Sequence, residues 1–122
     1  MKVNVQDCEA IEAPGSTIYI LKSDTNESIG ALRLKPNASL SQHNRPVEEC
    51  LEQVEGTSVI NLFENNKLIK RVALQSGETL KIPAYQYHEH TNQENTESLT
   101  NWCFDGDITK VIEQIRGSNG KN

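Results

Sequence analysis

Apolar side chains recur at every second position over most of the chain, the mark of strands with one buried face. Val3 and Val5 alternate with polar neighbours, and Thr17–Leu21 is a short β-branched run. Ile29–Leu34 follows, then Leu40–Arg45, closed by Pro46. Glu49–Val54 leads into a turn at Glu55-Gly56. Thr57–Glu64 and Lys67–Leu74 flank Asn65-Asn66. Asparagine tolerates positive φ, so this pair predicts a tight hairpin. Ser76-Gly77 is another turn, and Thr79–Ile82 ends at Pro83. Gln86–Asn92 and Ser98–Phe104 complete the series, joined by the polar loop 93–97. About ten short strands with frequent turns predict an all-β protein: a sandwich, jelly roll or small barrel.

The C-terminus breaks the pattern. Ile108, Val111, Ile112 and Ile115 fall at helical spacing behind Asp107, a capping residue, and Gly117 is a stop signal. A helix over about 107–116 is expected, its apolar face packed on the outside of a sheet or on a second subunit. Residues 118–122 are expected to fray.

The chain has 122 residues and 13.7 kDa, which predicts one domain over 1–122. Twelve Lys and Arg against 17 Asp and Glu give a net charge of −5, so no surface for nucleic acid or anionic lipid is expected. There is no apolar run of membrane-spanning length, and Asp7 and Glu9 interrupt the start where an export signal would be apolar. Cys8, Cys50 and Cys103 are isolated and odd in number, a pattern that fits a reducing cytoplasm. The hydrophobic content of 35 % lies below that of an ordinary domain. Either the core is thin or polar side chains lie inside.

The histidines suggest the second answer. His43 lies in the strand Leu40–Arg45, while His88 and His90 lie in the strand after Pro83. Residues two apart share a strand face. His43 therefore points with Arg45, and His88 with His90 and Asn92. Glu49 can fold back beside His43 through the turn at Pro46. Two imidazoles and one carboxylate suit a divalent metal with open positions. Taken singly, each histidine reads better as a satisfied interior or lining residue; the pairing of His43 and His88 turns the balance toward a site.

In this register the sequence resembles the cupin superfamily. The first cupin motif, G-x5-H-x-H-x3–4-E-x6-G, is matched by His43, Arg45, Glu49 and Gly56; the second, G-x5-P-x-G-x2-H-x3-N, by Gly77, Pro83, Tyr85, His88 and Asn92. The resemblance spans about residues 30–104, with residues 1–29 forming N-terminal strands outside that core. Arg45 replaces the second motif histidine, Tyr85 replaces a glycine, and Pro36 stands roughly where the opening glycine would lie.

The resemblance implies a double-stranded β-helix, or jelly-roll barrel, with a short C-terminal helix. It implies a site at the barrel mouth with His43, Glu49 and His88 as metal ligands, and one divalent ion of Fe, Mn, Ni or Zn. Arginine has no lone pair to give a cation. Three arrangements remain open: the other three residues bind alone, His90 takes the vacant place, or no metal binds and Arg45 pairs with Glu49 or an anionic ligand. Arg45, Gln53, Tyr85 and Asn92 are candidate ligand-binding or cavity residues. Tyr87 should point outward. Asn101 and Cys103 share one face of the last strand, Trp102 and Phe104 the other, and the pattern leaves open which is inside.

Three functions compete. The first is a cupin holding a metal and a small polar or anionic molecule, the metal acting as Lewis acid or oxygen-binding centre. The second is a non-enzymatic binding or sensing module. The third is a metal-free sugar isomerase or epimerase, with a histidine base, Tyr85 as acid, and Arg45 with Arg33 on phosphate. Whether the protein is an enzyme stays undecided at this level. A homodimer formed by packing or exchange of N-terminal strands is expected from the resemblance.

Overall fold

A computed structural model describes residues 2–120, with side chains described to Gly117. Ten strands follow in order: β1 (Glu9–Ala13), β2 (Ser16–Ser23), β3 (Ser28–Leu34), β4 (Ser39–His43), β5 (Glu49–Glu55), β6 (Ser58–Glu64), β7 (Lys67–Leu74), β8 (Thr79–Ile82), β9 (Tyr87–Thr91) and β10 (Ser98–Phe104). Helix α1 (Thr109–Gly120) closes the chain. The expected strand at Val3–Val5 is absent. Asn4 instead accepts a hydrogen bond from the Gln6 amide at 3.0 Å and caps a short 3-10 turn, Val5–Asp7. Such local side-chain bonds compete with strand pairing. The first strand begins only at Glu9.

The strands form two antiparallel sheets. One has the order β1-β2-β3-β10-β5-β8 and the other β4-β9-β6-β7. Non-consecutive neighbours such as β3-β10-β5 and β4-β9-β6 make this a jelly roll. Asn65 and Asn66 have φ of 53° and 63°, the left-handed pair that a two-residue hairpin between β6 and β7 demands. Inward residues from both sheets make the core, including Ile20, Leu32, Leu34, Leu51, Ile60, Leu74 and Ile82.

The last strand turns Trp102 and Phe104 inward, where they join this core with ring centroids 5.6 Å apart. Cys103 faces the other way, as does its cross-strand partner Cys50. Polar groups are also buried. Gln53 accepts from Thr100 Oγ1 at 2.7 Å and donates to Ser98 Oγ at 2.9 Å, and Ser58 bonds both Ser98 and Thr100. This satisfied network, with the buried histidines, accounts for the low hydrophobic content.

Helix α1 differs from expectation in two ways. Asp107 does serve the N-terminus, accepting from the Thr109 amide at 2.9 Å, but the helix passes Gly117 and continues to Gly120. Residues 121–122 lie outside the described residues, so the expected fraying is described only in part. The helix also does not ride on the outside of a sheet. Ile108 and Ile112 are buried in the barrel core, and Arg116 grips Glu9 of β1 through Nε and Nη2 at 2.8–3.2 Å. The apolar stripe thus has a use within the chain itself.

Candidate metal and ligand site

The site is built where the two sheets face each other. In the four-stranded sheet, His43 on β4 lies directly across from His88 on β9, and His90 follows two residues along on the same face. Their ring centroids are 4.4 Å (His43–His88), 5.2 Å (His88–His90) and 5.7 Å (His43–His90) apart. Each ring offers one nitrogen to a group whose atoms all lie within 4.8 Å of one another. The opposite sheet contributes Glu49, the first residue of β5. Its Oε1 is 3.2 Å from His88 Nε2. Glu49, His88 and His90 are buried, and His43 is half-buried.

Hydrogen bonds fix which ring nitrogens are free. The Nδ1 of His88 is 2.9 Å from the Gln86 carbonyl, and that of His43 is 2.7 Å from the Ser41 carbonyl. A carbonyl only accepts, so each Nδ1 carries the proton, and the neutral ring keeps its lone pair on Nε2. His88 Nε2 then faces a carboxylate oxygen, acceptor to acceptor. Neither atom has a hydrogen-bond partner, and His90 Nδ1 has none either. Buried polar atoms are rarely left so. The two atoms lie at ion-pair distance, 3.2 Å, but their orientation makes no hydrogen bond. A cation accepting all these lone pairs would satisfy them together.

Electrostatics keep the lone pairs available. Burial, followed by the Arg45 guanidinium and His88, pushes His43 down to about 3. Burial likewise holds His90 well below the ordinary histidine range, helped by His88, His43 and Arg45. Both rings are neutral at pH 7, the form in which an imidazole can bind a metal.

Arg45 lies just past β4. Burial lowers its pKa and Glu49 acts to raise it, but among the described residues its only side-chain hydrogen bond runs from Nη1 to the Asn44 carbonyl at 3.5 Å. Among the described residues it forms no ion pair with Glu49 or any other carboxylate within 4.0 Å. A planar guanidinium fork has the geometry to take a carboxylate or phosphate. It shares a cavity of about 40 Å³ with His43, Glu49 and His90. The rest of that cavity is mostly apolar, its wall including Ile18, Leu32, Trp102, Val111 and Ile115.

The other candidates stand elsewhere. Gln53 belongs to the satisfied serine–threonine network. Asn92 is buried and donates to the Leu34, Lys35 and Thr96 carbonyls at 2.8–3.3 Å, stitching strand ends together. Tyr85 is 66 % exposed and borders a shallow surface depression with Phe63, Asn66 and Tyr87, away from the histidines. Tyr87 also faces solvent. Arg33 has its Nε 3.4 Å from the Tyr19 hydroxyl and its Nη1 3.2 Å from Glu97, and it does not line the cavity.

No protein-family model and no curated protein matches the sequence. Solved structures match throughout. An RmlC-like cupin from Shewanella frigidimarina superposes with a TM-score of 0.72 at 14 % identity, over 89 % of this chain and 93 % of that one. The chain has the fold of a small cupin. KdgF from Halomonas gives 0.68 at 12 % identity, covering 86 % and 93 % of the two chains. Oxalate oxidase gives 0.71 at 19 % identity, over 87 % of this cupin but only 59 % of its own chain. This cupin thus spans about three fifths of that enzyme's length.

Set on this cupin frame, the site has one substitution and one recruitment. Arg45 holds a motif position without supplying a ligand, and His90 joins the cluster without motif support. The signal for His90 was present in the strand parity it shares with His88. No such signal announced the cavity-lining side of α1, because its four apolar positions fit any packed surface.

Proposed function

We propose that this cupin binds one divalent metal ion through His43, His88, His90 and Glu49, and a small anionic molecule on Arg45. The observation that carries the reading is the set of unpartnered buried atoms: Glu49 Oε1, His88 Nε2 and His90 Nδ1, drawn from both sheets. Imidazole and carboxylate donors together suit Fe, Mn, Ni or Zn. A divalent ion there supplies Lewis acidity at its open positions. Around it, His43 and His88 hold their protons on Nδ1 and keep Nε2 turned to the site. Glu49 brings the negative charge that offsets Arg45, and Arg45 orients the anion.

The metal-free isomerase reading has less support, since Tyr85 and Arg33, its acid and second phosphate anchor, both stand outside the cavity. Between turnover and simple binding or sensing, the reading makes no choice. It places the protein in the cytoplasm, supported by three free thiols, and no helix of the described residues is long and apolar enough to cross a membrane. It also takes the chain as a homodimer. The support is β1, an N-terminal strand that lies at one end of the six-stranded sheet. Light scattering at micromolar concentration should give twice the chain mass; a monomer mass removes the dimer.

Metal analysis tests the centre. Protein purified without chelator or nickel resin should carry close to one equivalent. His88→Ala and His90→Ala should each lower metal affinity beyond the about 10–100-fold typical of losing an outer partner of a ligand. Arg45→Gln should keep the metal. Metal content unchanged in His88→Ala would overturn the assignment.

A further inference from the structure

The cavity has a chemical gradient that no single residue reveals. Its polar groups, His43, Arg45, Glu49 and His90, come from β4, β5, β9 and the segment after β4. Its other wall is formed by β2, β3, β10 and α1, and it offers Ile18, Leu32, Trp102, Val111 and Ile115. The register aligns part of that wall into a row, Ile18 opposite Leu32 and Leu32 opposite Thr100. Thr100 is the only polar residue in the row, and its hydroxyl is already used by Gln53 and Ser58. A ligand's second polar group would meet no partner there, and burying one unpaired is costly.

The volume sets the size. About 40 Å³ is room for roughly three water-sized positions. The enclosed space therefore takes only a short chain beyond a carboxylate held at Arg45. We propose that this cupin takes a short-chain aliphatic monocarboxylate. Its carboxylate meets Arg45 and the histidine site, and its chain lies beneath α1 against Ile18, Leu32 and Trp102. The C-terminal helix, through Val111 and Ile115, is then a specificity element rather than only a brace. The inference rests on the proposed metal and anion site and adds the substrate class to it. Oxalate and other short diacids are disfavoured, because their second carboxylate would face the apolar wall.

Calorimetric titration of the manganese- or zinc-loaded protein with the unbranched series from formate to hexanoate, and with oxalate and malonate, tests this. Affinity should rise about fourfold per methylene from acetate to butanoate, the transfer value of a buried CH2. It should fall again at hexanoate, and propanoate should bind tighter than oxalate or malonate. Ile115→Phe and, independently, Val111→Phe should erase the chain-length gain while metal content stays at the wild-type value. Arg45→Gln should weaken all monocarboxylates alike. Equal affinity for acetate and butanoate, or oxalate binding tighter than propanoate in metal-loaded protein, overturns the proposal and leaves the metal centre standing. Failure to bind any carboxylate overturns it as well. If no metal is taken up but the chain-length dependence persists, the metal assignment fails and the apolar subsite holds.

Discussion

Tyr85 has a φ of 65°, left-handed backbone that an aromatic residue rarely adopts. Its position is the second motif's glycine, and the turn has kept the glycine's conformation without the glycine. Two hydrogen bonds hold it there: the Tyr85 amide donates to the Arg45 carbonyl at 2.7 Å, and Asn44 Nδ2 donates to the Tyr85 carbonyl at 3.2 Å. Both partners lie in the segment that carries Arg45, so the strained turn braces the residue proposed to bind the anion. The first motif behaves alike. Asn37, six residues before His43, and not its neighbour Pro36, holds the opening-glycine position, with φ of 61°. The side chain of Tyr85 is mostly in solvent, so Tyr85→Gly should relieve strain with little lost packing. A left-handed L-residue costs about 1–2 kcal/mol, and glycine's unfolded-state entropy takes back about 0.5–1 kcal/mol. A net gain of at most about 1.5 kcal/mol is expected in urea unfolding. A clear loss would mean that the exposed ring has a structural contact in solution.

At the scale of the element, β3 and β10 show how closely the apolar wall is fitted. Gly30 on β3 pairs with Trp102 on β10, and a Cβ on Gly30 would lie 2.4 Å from the indole ring and 1.9 Å from the Tyr19 carbonyl oxygen. The ring lies where a side chain would otherwise be. Gly30→Ala should therefore displace Trp102 and cost about 1–3 kcal/mol, the usual range for overpacking. Tryptophan fluorescence should shift with it, since Trp102 is the only tryptophan. An unchanged melting temperature and spectrum would show that the wall is loose. This close approach was invisible in the sequence, where Gly30 reads only as a weak point in a strand. What was legible followed from period two. Parity placed His88 with His90 and separated Trp102 from Cys103, and the Asn-Asn pair announced its hairpin. Parity could not tell inside from outside on β10, where both faces carry residues suited to burial. Nor could it see that Asn4 would divert Val5 into a 3-10 turn, or that α1 would cover the cavity. The facing of β10 and the placement of α1 depend on contacts between segments far apart in sequence, whereas the Asn4 turn is a local bond that outcompetes strand pairing.

In the whole molecule the proposed metal joins two layers. His43, His88 and His90 stand on the four-stranded sheet and Glu49 on the six-stranded one. The facing sheets meet elsewhere through apolar contacts and the buried serine–threonine network, so an ion held from both sides would act as a cross-link between them. Binding only the folded state at a hundred times the dissociation constant adds about 2.7 kcal/mol of stability. For a chain of this size that is a rise of roughly 10 °C in melting temperature. Glu49→Gln separates the two geometries available to the centre. If the histidines of one sheet hold the ion by themselves, the variant keeps the full metal-induced rise. If the ion bridges the sheets, the rise should shrink to a few degrees, and chelator should lower the wild type far more than the variant. Scanning calorimetry of both proteins with and without the metal distinguishes these cases. An equal rise in the two would remove Glu49 from the centre and leave it as the counter-charge that holds Arg45 beside an all-histidine site.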